Sequence, residues 1–484
     1  MTLYDYSDSL NYEPCYFYSI SKNEITYDGY FSSFFNQFWL DHTDVRKVTL
    51  SVELDGDGIF ELFFRDENGV DRSIERVKHL DRESISLDLN LHEPKCYGRY
   101  YFKVSSNIII KNVKWSSVEK PVREVKLALC ICTYKKEEYL KNTISKLKPI
   151  LSDNIQVYIT DNAKSVDINE DFVHIKFQKN LGGAGGFTRS LTDSSKNEEI
   201  THFLIMDDDI EIDPINIKKL ISYHSYTKKD IPISGSMLNL RSRNQLCEAG
   251  ANCDFLGSKS FFSNLDISEP ANLDKIASPY QFEYGAWWFF SLSRNLFSEV
   301  GLPMPLFIRG DDKEYGLRLR KHGHKTVHPP GLGVWHEPFS EKLSLWLKFY
   351  DVRNFLILNS LPHSKFEHHF LVFLKIQLLL IYYLLKGKGK YAAMLTESLR
   401  DYRYGAISIN GCSDKKHQYV MKTANDLNSL QRINTFQSFR ILLEGTLEVL
   451  LSVRHQKEIC ADYCSSFKKF ISKEYWSEIF ESAS

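Results

Sequence analysis

His202-Phe203-Leu204-Ile205-Met206-Asp207-Asp208-Asp209-Ile210-Glu211-Ile212 begins as an apolar run of strand-like composition and ends in three consecutive carboxylates. The chain therefore delivers acid to the carboxyl tip of what reads as a buried strand. Adjacent carboxylates repel, and taking them out of water is costly unless a cation or hydrogen-bond donors compensate. Two readings follow. The acids are hard oxygen ligands for Mn²⁺ or Mg²⁺, or they open the helix expected from Pro214-Ile215-Asn216-Ile217.

The segments upstream repeat the pattern. Val125-Lys126-Leu127-Ala128-Leu129-Cys130-Ile131-Cys132 is almost continuously apolar and ends in Thr133-Tyr134-Lys135. A helix-like stretch from Glu137 to Leu147 follows, then Ile155 to Thr160 ending in Asp161-Asn162, then Val173 to Phe177 leading to Asn180. Strands of this composition are covered on both faces. Alternating with helices and ending in polar residues, they predict an α/β fold with an open, mostly parallel sheet whose carboxyl edge holds the ligand.

Asn180-Leu181-Gly182-Gly183-Ala184-Gly185-Gly186-Phe187-Thr188-Arg189 carries four glycines in five positions. The spacing fits neither a Walker loop nor a dinucleotide fingerprint. A glycine loop feeding a helix that starts near Phe187 would aim backbone N–H groups at phosphate; a plain flexible turn is the other reading. Trp287-Trp288 reads as a wall for a sugar ring or as core. In Phe307-Ile308-Arg309-Gly310-Asp311-Asp312-Lys313-Glu314-Tyr315 the acids open an amphipathic helix, as caps or with one carboxylate as a general base. His336, after Trp335, is a candidate third metal ligand once the acidic triplet is considered with it.

The flanks differ. Residues 1–120 alternate as strands do, with Asp55-Gly56-Asp57-Gly58 expected to be a hairpin turn between two of them, and a β-sandwich follows. The aromatic segment Tyr16-Phe17-Tyr18 to Phe38-Trp39 is expected to pack against it. Beyond residue 340 the pattern is helical. Phe370 to Leu385 is the most hydrophobic run; its sixteen residues, interrupted by Lys375 and Gln377, fall short of a spanning helix. A buried helix is the first reading, and an interfacial one with the basic flank Lys386-Gly387-Lys388-Gly389-Lys390 the second. The domains expected are 1–120 (β-sandwich), 121–340 (catalytic) and 341–484 (helical).

With 61 basic and 62 acidic residues there is no electrostatic case for nucleic acid. The first residues have no signal-peptide pattern, and nine scattered cysteines suit a reducing cytoplasm.

Taken in order, Thr-Tyr-Lys at 133–135, Asp161-Asn162, Asn180 to Phe187, Met206 to Asp209, Trp287-Trp288, Asp311 to Gly316 and Trp335-His336 resemble an inverting GT-A glycosyltransferase of family 2. More narrowly, they resemble the galactofuranosyltransferases that build bacterial galactan, which carry an N-terminal β-sandwich and a C-terminal helical region. The resemblance implies Asp207, Asp209 and His336 as ligands of Mn²⁺ or Mg²⁺, with Asp208 against the donor. It implies Thr133 and Asp161 on the uridine side, Asn180, Gly182 and Gly183 on the nucleotide sugar, and Trp287 and Trp288 at the acceptor. Asp312 would be the general base, with Asp311 and Glu314 supporting acceptor placement. Tyr350 to Asn354 resembles the family's Tyr-x-x-Arg-Asn segment, in which Arg353 is expected to form a structural ion pair.

The implied donor is UDP-galactofuranose, and the implied acceptor is a hydroxyl of a growing cell-surface glycan of galactan or O-antigen type. A lipid-linked acceptor would suit a cytoplasmic protein in peripheral contact with the inner face of the plasma membrane; a homo-oligomer is compatible. The alternatives are a related transferase using UDP-galactopyranose or dTDP-rhamnose, and a glycan-binding protein that has lost catalysis.

Overall fold

Leu127–Thr133, buried through Ile131, is an inner strand of a six-stranded sheet. The structure, a computed structural model, describes residues 2–6, 18–79, 83–254, 257–337, 344–364, 369–409, 414–430 and 433–483. Tyr16 and Phe17 of the aromatic segment lie outside them. The sheet order is Val173–Phe177, Ile155–Asp161, Leu127–Thr133, His202–Asp207, Phe290–Ser293, Ile233–Ser234. The first four strands are parallel; Phe290–Ser293 runs antiparallel to both its neighbours. Register sets Thr133 opposite Asp161 and Cys132 opposite Asp207, so the polar strand ends are level along one edge. This is the open, mostly parallel sheet that the sequence predicts.

A second, mixed sheet grows from that edge. Its order is Ile210–Glu211, Gly333–His336, Ser236–Asn239, Gln245–Glu248, Leu265–Asp266. Ile210 pairs with His336, which ties the segment after the acidic triplet to a strand more than a hundred residues later. The helix that follows is Ile215–Tyr226, and its start is served by Asp213, whose Oδ1 accepts from the Ile215 N–H at 2.9 Å. The triplet is therefore not this helix's cap.

The N-terminal strand-rich region forms two antiparallel sheets. The hairpin expected at Asp55–Gly58 is absent: Lys47–Asp55 and Gly58–Asp66 belong to different sheets, and the turn arches between them. Gly56, at φ 105, passes so close to the Asn107 carbonyl that a side chain there would collide with it. The alternating residues Val48, Leu50 and Val52 share one core with Phe60, Leu62 and Phe64; each such side chain contributes roughly 1.5–3 kcal/mol on burial.

The two β regions are joined by buried polar contacts. Arg99, fully buried, donates to Asp28 at 2.6 Å and to Asp274 at 2.5 Å, on helix Pro270–Ala277. Lys219 donates to the carbonyls of Phe31 (2.7 Å) and Gly331 (3.0 Å).

The C-terminal region is helical, beginning with Leu345–Asn359. The run expected to be a buried helix is helix His369–Leu385, and it is buried on one side only: Leu378 and Leu385 are exposed. No helix among the described residues is long and apolar enough to cross a membrane.

Candidate active site

The level strand ends open into a cleft of about 760 Å³. Asp207, Asp209 and His336 line it together. His336 Nε2 lies 3.0 Å from Asp209 Oδ1 and 3.6 Å from Asp207 Oδ2, and one ligand atom from each of the three falls within 4.8 Å of the others. His336 Nδ1 lies 2.6 Å from the Glu337 carbonyl oxygen, which can only accept, so the proton sits on Nδ1 and the Nε2 lone pair faces the carboxylates. Three electron-pair donors converge on one point, which suits a divalent cation. The strand pairing of Ile210 with His336 is what brings the imidazole there. Lys136 Nζ, 3.4 Å from Asp209 Oδ2, adds positive charge at the rim.

Asp208 turns away from this trio. Burial, reinforced by the charge of Asp209, pushes its carboxyl up to about 7, while the Thr133 hydroxyl pulls the other way. Asp161 is fully buried and its carboxylate is occupied by the chain: Oδ1 accepts from Ala163 N–H (2.7 Å) and Oδ2 from Ser165 and Val166 N–H (2.6 and 2.8 Å). It builds the loop beyond its strand, and neither it nor Thr133 lines the cleft.

The glycine segment differs from expectation. It is not a loop leading to a helix near Phe187; the helix is Gly182–Ser194, and the glycines are its first turn. Asn180 Oδ1 accepts from Gly182 N–H at 2.9 Å and fixes the entry. Gly182 (φ 69) lies against the Phe307 carbonyl, and Gly186 against Cys132 Sγ, where an added Cβ would fall 2.1 and 2.0 Å from those atoms. Most of the close approach the glycines permit is thus to the protein itself. Gly183 is the exception. It lines the cleft with room for a Cβ at ordinary contact distance, 3.8 Å from Asp311 Oδ2.

Helix Asp311–Lys321 begins in the same cleft. Asp311 and Asp312 both line the cleft. Burial, with the neighbouring Asp312 charge, raises Asp311 to about 7; burial also raises Asp312, against the opposing pull of Lys313. Neither side chain caps the helix in the usual way; the N-cap is Gly310 in the left-handed region. Glu314, expected beside the acceptor, is elsewhere. One turn further on it is fully buried, 2.7 Å from Arg318 and 3.0 Å from His363; the Arg318 charge, with His363 beside it, outweighs the upward push of burial and holds its pKa down. Residues three positions apart along a helix share a face only approximately, and here the second falls inward.

Trp287 and Trp288 also line the cleft, each about nineteen-twentieths buried. Trp288 Nε1 donates to the Gly235 carbonyl at 3.1 Å, and the Trp287 ring stands edge-on to Phe187 and Tyr315. They serve core and cleft together. Glu248, which nothing in the sequence singled out, also lines the cleft; burial and then the Asp312 charge raise its carboxyl to about 7, against a hydrogen bond from Ser260. An isolated glutamate in a four-residue strand carries no motif, so only the fold exposes it.

This arrangement defines the class. Residues 125–354 match the profile of glycosyltransferase-like family 2, and residues 17–118 match that of the galactofuranosyltransferase 2 N-terminal domain. The chain therefore carries a family 2 glycosyltransferase domain behind a galactofuranosyltransferase-type N-terminal domain. It is homologous to galactofuranosyltransferase GlfT2 of Mycolicibacterium smegmatis, with 24% identity over 375 residues, and to that of Mycobacterium tuberculosis, with 25% over 370. Each match covers 70% of this chain but 58% of the relative, so the chain spans little more than half the length of the relatives it matches. Among solved structures, a mannosyltransferase of Pyrobaculum calidifontis with GDP-mannose and Mn²⁺ aligns over 68% of this chain and 88% of its own (9% identity, TM-score 0.33). S. aureus TarS 1–349 with UDP aligns over 69% and 92% (12% identity, TM-score 0.36).

Proposed function

We propose that the chain is a metal-dependent inverting glycosyltransferase that moves galactofuranose from UDP-galactofuranose to a hydroxyl of a growing cell-surface glycan. The observation that carries the reading is one cleft lined both by a cation-binding trio, Asp207, Asp209 and His336, and by a raised carboxylate pair, Asp311 and Asp312. A glycan-binding surface has no use for that combination. The galactofuranosyl donor is proposed from homology to the GlfT2 enzymes.

Asp207, Asp209 and His336 would hold Mn²⁺ or Mg²⁺, whose charge there neutralises a departing diphosphate. Thr133, Asp161, Asn180, Gly182, Gly183 and Asp208 form the donor side, with Asp161 and Gly182 acting through the backbone they shape and Thr133 through the Asp208 carboxyl. Trp287 and Trp288 bound the acceptor. Asp312 takes the proton of the acceptor hydroxyl, and that oxygen attacks the anomeric carbon from the face opposite the leaving group, so configuration inverts in one displacement. A base in this role works best with a pKa near the working pH, and burial shifts Asp312 upward, in that direction. Asp311 keeps the pair's pKa high, and Glu314 fixes the helix rather than touching the acceptor. We take 1–120, 121–340 and 341–484 as the sandwich, catalytic and helical domains, and read the last as the part that would meet a lipid-linked acceptor at the cytoplasmic membrane face.

The test is incubation with UDP-galactofuranose, Mn²⁺ and a galactoside acceptor, with UDP release and product linkage read together. Transfer with inversion is expected. Transfer only from UDP-galactopyranose or dTDP-rhamnose overturns the donor, and no UDP release from any donor overturns catalysis.

A further inference from the structure

Among the described residues that line the cleft, two buried side-chain polar atoms have no hydrogen-bond partner: Glu248 Oε1 and Trp287 Nε1. Glu248 is 8% and Trp287 5% exposed. Folded chains pair nearly all such atoms, so an unpartnered one in the wall of a cleft marks a place for a polar group of a ligand. Here the two are a carboxyl oxygen and an N–H that can only donate.

A bulge aims Glu248. Strand Gln245–Glu248 pairs with Ser236–Asn239, but the register slips by one: Met237 faces Glu248 while Leu238 faces Leu246, which leaves Cys247 as the extra residue. Bulges break the strict alternation of faces and re-aim the side chain beside them. Leu246 is wholly in the core, whereas Glu248 reaches the cleft. Its Oε2 accepts from the Ser260 hydroxyl, which fixes the carboxyl and leaves Oε1 unpaired.

The surroundings of Glu248 are those of Asp312. Ser260 ends strand Gly257–Ser260, and at the start of that strand the Gly257 carbonyl accepts from Lys313 Nζ at 3.2 Å. Three steps of strand, about 10 Å, therefore separate the anchor on Glu248 from the anchor on the residue after Asp312. Burial raises the Glu248 carboxyl, and the Asp312 charge adds to it against the Ser260 hydrogen bond, so the two carboxyls lie within each other's field.

An ionised carboxyl repels a diphosphate. A sugar hydroxyl suits a carboxyl in either protonation state, because a hydroxyl both donates and accepts. The Trp287 N–H supplies a donor beside it in the same wall.

We propose that Glu248 binds the acceptor: Oε1 holds a sugar hydroxyl next to the one presented to Asp312, so the cleft selects acceptors that carry both. The inference deepens the transferase reading and rests on it for the role of Asp312.

The test sets Glu248 variants against a galactoside acceptor and its monodeoxy analogues. In transfer, Glu248→Ala should raise the acceptor KM about tenfold or more, with the donor KM and Mn²⁺-dependent UDP binding unchanged. Deleting the recognised hydroxyl should cost the wild type about as much and Glu248→Ala little more, because the same contact is lost only once. Glu248→Gln keeps a hydrogen-bonding group of the same shape and should recover about half of the loss or more. An unchanged acceptor KM in Glu248→Ala, a raised donor KM in its place, or a deoxy penalty that adds in full to that of the variant overturns the proposal. Calorimetric titration of the galactoside in the presence of UDP and Mn²⁺ needs no transfer. Binding about tenfold weaker in Glu248→Ala is expected there; equal binding, or none by the wild type, overturns the proposal. Galactoside binding that depends on Glu248, with no transfer from any donor, would keep Glu248 as a glycan-binding residue and overturn the transferase reading alone.

Discussion

Asn354 Nδ2 lies 2.6 Å from the carbonyl oxygen of Arg309 and 2.8 Å from that of Ile308, so a residue of the helix after the catalytic sheet holds the segment that leads into Asp311. That segment is under strain. Phe307 and Arg309 sit at φ 73 and 69, and Gly310 at φ 82. A non-glycine residue in this region costs roughly 1–2 kcal/mol and persists only where its surroundings enforce it. Asn354→Ala should lower stability by about 1–3 kcal/mol and transfer by about tenfold or more, since it releases buried carbonyls and loosens the acid pair. Melting and steady-state transfer check this together; unchanged values in both would mean the pin does nothing.

Asp312→Asn should reduce transfer by about 10²–10⁴-fold while UDP binding persists, the loss expected for a general base. Full activity would move the base elsewhere.

The acid pair also sets a pH limb. Burial raises both carboxyls, Asp311 to about 7, so at lower pH a proton occupies the pair and the base is blocked. Activity should rise as pH increases through that region. Asp311→Asn removes a like charge, which favours ionisation of Asp312, so the limb should move to lower pH. A limb that stays put in kcat against pH argues against coupling.

Asp209→Ala removes one member of the trio. Mn²⁺-dependent binding of UDP, read by calorimetry, should weaken at least about tenfold with little change in melting without metal. Equal metal dependence in wild type and variant would exclude the trio as the cation site.

Two glycines three positions apart in one helix should fail differently. Gly186→Ala forces a Cβ onto Cys132 Sγ and should cost about 1–3 kcal/mol of stability through overpacking. Gly183→Ala meets nothing closer than 3.8 Å, so it should fold normally and raise the donor KM instead. The same phenotype in both would remove the distinction between packing and donor contact.

Much of this was legible in the chain. Arg353, expected in a structural pair, is buried 3.6 Å from Asp401, with a hydrogen bond to Leu306. The strand ends at Thr133, Asp161 and Asp207 follow from apolar runs that stop at polar residues. Where the structure departs from expectation there is a shared cause. The resemblance implies roles for Glu314, Asp161 and the glycines from the order of motifs along the chain, but whether a side chain faces the cleft or the protein depends on what packs against it. Asp55–Gly58 has hairpin chemistry, yet a turn's sequence does not say which sheet receives the outgoing strand.

By itself the sequence determined the alternation of strands and helices, the acids at the strand tip and the order of the motifs, because periodicity and local chemistry are properties of neighbours in the chain. The tertiary structure decided the rest: that His336 joins Asp207 and Asp209 through its pairing with Ile210, that Glu248 enters the cleft and Glu314 leaves it, and that two C-terminal helices turn an apolar face outward. Those outcomes depend on contacts between residues far apart in sequence, where packing and register, rather than local propensity, set direction.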